Sequence, residues 1–428
     1  MTNATIDMTT GREGGARSSA AVIAVAFVIV ALDFFDTTSI GFVVPTLARE
    51  WGLPPSAFTS AFVGTSLGAV IGYMSCGPLA KRFGRRSVGA ASILLFSLGT
   101  LATMFVDTVM ALAAIRVVTA IGLGATLPIA IDAAADGMPQ KYKGTSAMIV
   151  ITGGGVGSMI GGIAGGPLIA NFGWKSVFLL GGVLPLLLLP AAIYYFRENV
   201  PATRAAAPEF PATSENLVKA LFARGLALDT ILLWTFSFIV FVDAYALIFW
   251  IPTLLSDFGF PPAAAPAGTA AYGMGGLVGS IFMMAVIAKI GAHKALLVTI
   301  SVAIFSIGVM SQTTNAAQVW ILVLIGGMGA GLITGCVGQS ALAVMLYPSW
   351  LRTTGVGWAA ALGRVGSILG PAVGGALLSL GWAPRNIILT AIIPAIAAML
   401  MLFILQWIER NKQKSPRAQA GASSQMIA

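Results

Sequence analysis

The sequence predicts an all-α polytopic membrane protein whose twelve transmembrane helices form two pseudo-symmetric six-helix halves. Three observations carry that prediction: the composition, twelve apolar runs of membrane-spanning length, and an internal repeat. Of 428 residues, 57% are hydrophobic and 9% charged, whereas soluble domains carry roughly 25% charged residues. Glycine, at 51 residues, exceeds the usual ~7% and suits membrane helices whose backbones approach closely. Apolar dominance excludes disorder. Cys76 and Cys336, the two cysteines, lie inside apolar runs and exclude a disulfide framework.

A helix crossing the ~30 Å hydrocarbon layer needs about 20 mostly apolar residues. Cutting the chain where charges, Pro or Asn interrupt such runs predicts spans at 20–48, 58–80, 87–107, 110–136, 143–170, 174–196, 226–255, 265–290, 294–313, 317–346, 352–380 and 385–408. Runs such as Leu179 to Pro190 do not alternate, which excludes a β-barrel. Asp33 and Asp36 interrupt the first run, and it continues apolar beyond them, unlike a signal peptide. The domain reading is therefore a polar tail at 1–19, a bundle at 20–196, an Ala-, Pro- and charge-rich linker at 197–225, a second bundle at 226–408 and a tail at 409–428.

The net charge of +9 does not point to nucleic acid, because the basic residues sit between apolar segments instead of covering one face. Most Lys and Arg fall on one side when both termini are placed inside, as the positive-inside rule requires. Both termini are therefore expected on the cytoplasmic side of the membrane.

Displacing the chain by 207 residues sets Asp36 on Asp243 and Pro45-Thr46-Leu47 on Pro252-Thr253-Leu254. In the same register Pro54-Pro55 meets Pro261-Pro262, Arg82 meets Lys289 and Gly84 meets Gly291. An Asp, a Pro-Thr-Leu and a Pro-Pro in one register mark two parallel repeats, the arrangement from which alternating access follows.

Ionisable residues within spans are costly and mark functional candidates. At about 1.5 Å per residue, Asp33 and Asp36 lie about 20 and 24 Å along span 1 from its inner end. Arg116 lies about 9 Å from the outer end of span 4, within reach of those carboxylates, and Arg364 about 18 Å into span 11. Asp33 and Asp36 are i and i+3, hence neighbours on one helical face. Two desolvated carboxylates so close resist ionising together, which suits acceptance of a coupled proton. Arg116 or Arg364 is expected to attract a substrate anion, although an ion pair between Arg116 and Asp33 would leave Arg116 a structural role. Asp243 is a second cavity acid or is tied to a nearby Tyr or backbone group. Phe34, Tyr245 and Trp358 are candidates for stacking on an aromatic ring. Gly153 to Gly157 imitates a dinucleotide loop, but no strand precedes it. His293, the one histidine, falls in a loop, so neither a metal site nor a catalytic triad forms. No enzyme activity and no cofactor are expected.

Three motifs resemble the major facilitator superfamily across essentially the whole chain: Gly77-Pro-Leu-Ala-Lys-Arg-Phe-Gly84-Arg85-Arg86, Arg116 with Gly122-x-Gly124, and Gly157, Gly161 and Gly165. Leu32-Asp33-Phe34-Phe35-Asp36 and the stretch from Tyr347-Pro348 through Arg352, Thr354-Gly355 and Gly363-Arg364 to Gly370-Pro371 are similar to the aromatic acid:proton symporters, the 4-hydroxybenzoate, protocatechuate and benzoate transporters. The resemblance implies the major facilitator fold and a monomer in lipid that takes up a small aromatic carboxylate with protons. A transporter of another organic anion, a drug/proton antiporter and a non-transporting sensor are the alternatives. It further implies gating by Lys81, Arg82, Gly84, Arg85, Arg86, Asp136, His293 and Arg352. Departures are Phe34 for glycine, Asp136 for glutamate, and Lys81 and Ala288 for two loop aspartates. Lys81 beside Arg82, Arg85 and Arg86 predicts a weakened inner latch unless acids such as Asp136 or anionic lipid compensate.

Overall fold

The computed structural model describes residues 10–136, 138–139, 142–196, 214–223, 225–313, 317–348 and 351–414. Most of the linker stretch, 197–213, and the tail residues 1–9 and 415–428 lie outside them. Among the described residues the regular structure is entirely helical. The helices are α1 (Thr10–Glu50), α2 (Thr59–Phe83), α3 (Arg85–Ala102), α4 (Val109–Asp136), α5 (Lys143–Phe172), α6 (Lys175–Tyr195), α7 (Ser214–Leu221), α8 (Ala227–Leu254), α9 (Ala265–Ile290), α10 (Ala292–Gln312), α11 (Gln318–Leu346), α12 (Arg352–Ser379), α13 (Pro384–Thr390) and α14 (Ile392–Lys414). Among the described residues twelve helical segments are long and apolar enough to cross a membrane, α13 and α14 together forming the last.

Two differences from the sequence expectation concern helix ends. Helix α1 begins at Thr10, inside the stretch expected as a tail, and α14 runs on to Lys414, past the expected end of span 12. Hydrophobicity locates where a helix meets lipid, not where its backbone hydrogen bonds stop. The stretch expected as linker also contains the short helix α7, whose Leu221 is fully buried. Thr230 Oγ1 donates to the Leu221 carbonyl at 2.8 Å, and Tyr347 Oη donates to Thr230 Oγ1 at 3.1 Å, tying α7 to α8 and to the end of α11.

The chain divides into two compact units, Met1–Glu209 with Ile248–Met274 and Phe210–Leu247 with Gly275–Ala428. In the first, α2 packs on α4, α1 on α5, and α3 on α4 and α6. Its apolar interior also takes in the end of α8: Phe62 stacks on Phe249 at 4.9 Å and meets Trp250 edge-on at 4.8 Å. In the second, α10 packs on α11 and α14, repeating the α3 contacts with α4 and α6.

Glycine permits these approaches because van der Waals packing, not the hydrophobic effect, holds helices together in lipid. A Cβ on Gly157 of α5 would collide with the Ala31 carbonyl of α1, and one on Gly370 of α12 with the Val242 carbonyl of α8. Gly84 and Gly291, matched by the repeat, both take positive φ, 82° and 81°, at the turns into α3 and α10. Side chains with a Cβ are strained there.

Candidate functional site

The first unit holds a closed ion-pair network at the middle of α1. Asp36 and Arg116 are both 0% exposed, and Arg116 Nη1 donates to Asp36 Oδ2 at 2.9 Å. Thr100 Oγ1 of α3 donates to the other carboxylate oxygen at 2.8 Å, while Arg116 Nε donates to Thr65 Oγ1 of α2 at 3.2 Å. Four helices thus satisfy one pair, which is what a buried pair needs to offset its desolvation. The sequence reading allowed Arg116 to pair with Asp33; the structure pairs it with Asp36. The three-residue step turns Asp33 about 60° around α1, by helical geometry. Asp33 is buried as well and accepts from Thr37 Oγ1 at 3.3 Å. Phe34 lays its ring against Gly154 of α5 and fills the space that this glycine leaves open. The sequence singled out neither Thr100 nor Thr65, since isolated threonines in apolar helices carry no signal.

The second unit has a different design around the repeat position. Phe241 and Tyr245, i and i+4 on α8, stack at 5.9 Å with 8° between their planes. Arg364 Nη1 of α12 donates to Tyr245 Oη at 3.1 Å, and its guanidinium lies 6.0 Å from the centre of the Phe241 ring. Gly363 makes room, for its Cβ would meet the Phe241 ring. Asp243 is 2% exposed, and its Oδ2 has no hydrogen-bond partner. Its counterpart Asp36 is held by Arg116 and Thr100, but a 207-residue step from these reaches Val323 and Ile307. The repeat has therefore kept the acid and lost the partner positions, and the cation of this half comes from α12. Trp358 stacks on Trp234 at 5.6 Å, and Trp234 meets Phe222 edge-on.

At the turn between α2 and α3, Arg85 is buried and bridges two acids of α4, Asp132 at 3.0 Å and Asp136 at 2.9 Å. Lys81, Arg82 and Arg86 are exposed, and Arg82 rests its guanidinium 5.2 Å from the Phe83 ring centre. The four basic residues are thus unequal: the buried one is compensated and the others face outward. The repeat replaces Arg85, Asp132 and Asp136 by Ala292, Gln339 and Ala343. There His293 Nδ1 instead lies 3.5 Å from Glu409 Oε2 of α14. Arg352 opens α12 and is exposed.

Arg85→Met should lower the apparent unfolding temperature in detergent. The change removes two charge-assisted bonds and leaves Asp132 and Asp136 facing each other at i, i+4. Arg85→Lys should fall between, because a point cation cannot fork to two carboxylates. A methionine variant as stable as wild type would show that the bridge adds nothing.

Among the described residues no cluster of His, Cys, Asp and Glu could hold a metal ion. Residues 26–342 match the Major Facilitator Superfamily profile. The 4-hydroxybenzoate transporter PcaK of Pseudomonas aeruginosa is 31% identical over 408 residues, covering 88% of this chain and 90% of that protein. The 3-(3-hydroxy-phenyl)propionate transporter of Escherichia coli is 32% identical over 409 residues, covering 93% and 96%. The solved D-xylose-proton symporter shares the fold with a TM-score of 0.70 at 15% identity, covering 90% of this chain and 96% of that one. Twelve membrane-crossing helices, the repeated helix packing and these similarities agree: the chain belongs to the Major Facilitator Superfamily and is a multi-pass membrane transport protein, not an enzyme.

Proposed function

We propose that this protein takes up a small aromatic carboxylate together with protons, by alternating access, in a bacterial inner membrane with both termini cytoplasmic. The observation that carries the substrate reading is Arg364 hydrogen-bonded to Tyr245 against the stacked Phe241 ring. A planar cation beside aromatic faces suits a ring that bears a carboxylate: the guanidinium fork takes the two oxygens and the rings take the ring. The relatives named for hydroxybenzoate and hydroxyphenylpropionate transport support the same class. The proton reading rests on the first unit. Asp36 is held by Arg116 and Thr100, with Asp33 one turn away; protonation of either acid changes the charge in a region with little water to screen it. Gating falls to the charged turn at Arg85 and its neighbours, and to His293 and Arg352 on the second half.

The test is uptake of labelled 4-hydroxybenzoate into proteoliposomes with an imposed proton gradient. Accumulation should exceed equilibration and collapse with a protonophore. Benzoate and its hydroxylated acids should compete, and the corresponding amides should not, because a neutral amide cannot replace an anion in the guanidinium fork. Amides competing as well as acids would favour a drug transporter on the same fold.

A further inference from the structure

Asp243 is a buried acid that the proton reading leaves unused, and its surroundings differ from those of Asp36. It stands at the middle of the span Ala227–Phe258, 2% exposed, with no hydrogen-bond partner on Oδ2. Helix α8 carries two different faces at this level. Phe241 and Tyr245 face α12 and Arg364. Val240, three residues before Asp243 and so on its side of the helix, packs on Gly335 of α11, and its carbonyl accepts from Cys336 Sγ at 3.9 Å. Cys336 lies within electrostatic reach of both Asp243 and Arg364, so the acid and the cation flank one thiol. The neighbouring helices add no other charge at this depth. Helices α9 and α10 are charged only at the turn between them, at Lys289, His293 and Lys294; α11 carries no charge, and α12 carries Arg352 at its start and Arg364 in its middle.

We propose that Asp243 sets substrate affinity by its proton: Arg364 takes the substrate anion while this acid is neutral and is drawn to the carboxylate once the proton has left. The proposal rests on the reading of Arg364 as the anion's partner. A lone carboxylate at the middle of a membrane span is costly, and with no cation paired to it Asp243 is the neutral acid in this conformation. Its O–H bond breaks by passing the proton to water in the substrate path, and the ion left behind needs a counter-charge. Arg364 is the mid-span cation of these helices, and one guanidinium cannot fully serve two carboxylates. The ionised acid and the substrate anion therefore compete for it. By linkage, an anion that binds at Arg364 takes up a proton at Asp243. Asp36 keeps a separate task, because its partner Arg116 is already committed to it.

Calorimetric titration of the purified full-length protein with benzoate, at constant ionic strength from about pH 6 to about pH 9, where the ligand stays ionised, tests this. Wild type should bind more weakly as pH rises, by about tenfold or more across the range. Titrations in two buffers of different ionisation enthalpy should show uptake of about one proton per benzoate at the upper end. Asp243→Asn fixes the neutral form with the same shape, so it should hold its low-pH affinity throughout and take up about one proton fewer. Asp243→Ser, neutral and smaller, should do the same and gives a second route if the asparagine variant does not fold. Wild-type pH dependence retained in these variants, or a wild-type affinity that does not change with pH, would overturn the proposal. Weaker binding by both variants at every pH would make Asp243 a contact or a structural residue and would overturn it too. No benzoate binding at any pH would strike the substrate reading and this proposal with it, whereas binding at constant affinity strikes the proposal alone.

Discussion

Asp36→Asn is expected to abolish gradient-driven accumulation of substrate, while exchange between equal pools survives. Asp36 uses both carboxylate oxygens, one for Arg116 and one for Thr100. The amide keeps one acceptor, turns the other into a donor that faces a threonine hydroxyl, and removes the counter-ion of a guanidinium that is 0% exposed. Breaking a buried pair on one side costs about 3–5 kcal/mol, so the variant should also unfold at lower temperature. A second variant separates coupling from stability. Asp36→Asn with Arg116→Gln restores neutrality and should recover part of the lost stability, yet still fail to accumulate substrate. Asp33→Asn leaves the Arg116 pair intact and should impair accumulation without abolishing it. Concentrative, protonophore-sensitive uptake retained in both Asp36→Asn and Asp33→Asn would remove α1 from the coupling mechanism.

The parts of this architecture that were legible in the sequence are those set by the solvent. Lipid demands about 20 apolar residues per crossing, so twelve spans could be counted, and it penalises buried charge, so Asp33, Asp36, Arg116 and Arg364 stood out. Depth along a helix also placed Arg116 level with the α1 acids. Which acid it takes depends on rotation about α1 and on the neighbours α2 and α3, information that is absent from spacing along the chain. That Arg85 bridges Asp132 and Asp136 depends on how α3 meets α4, which spacing along the chain does not carry. The pairing of His293 was hidden for another reason. Glu409 fell beyond the last apolar residues and read as tail, whereas α14 continues through it as helix. The repeat was informative in both directions: it linked Asp243 to Asp36, and the loss of its partners at Val323 and Ile307 explains why the two halves carry different chemistry.

Replacing Arg364 should have the largest effect on substrate affinity. In Arg364→Met the anion loses a charged, two-pronged partner; hydrogen bonds to charged groups contribute about 1.5–3 kcal/mol each, so the half-saturating concentration should rise on the order of 100-fold. Arg364→Lys keeps the charge without the fork and should lie between wild type and methionine. The Tyr245 contact adds a diagnostic. Its hydroxyl accepts from Arg364 Nη1, so Tyr245→Phe frees that nitrogen and lets the guanidinium move away from its place beside Phe241. If Tyr245 aims Arg364, Tyr245→Phe should weaken binding in the wild-type background and have almost no further effect in Arg364→Met. A double-mutant cycle on competition by benzoate measures that coupling. Additive losses would mean that Tyr245 meets the substrate independently of Arg364. Unchanged affinity in Arg364→Met would exclude Arg364 from anion recognition and leave Arg116, already committed to Asp36, as the next cation to test.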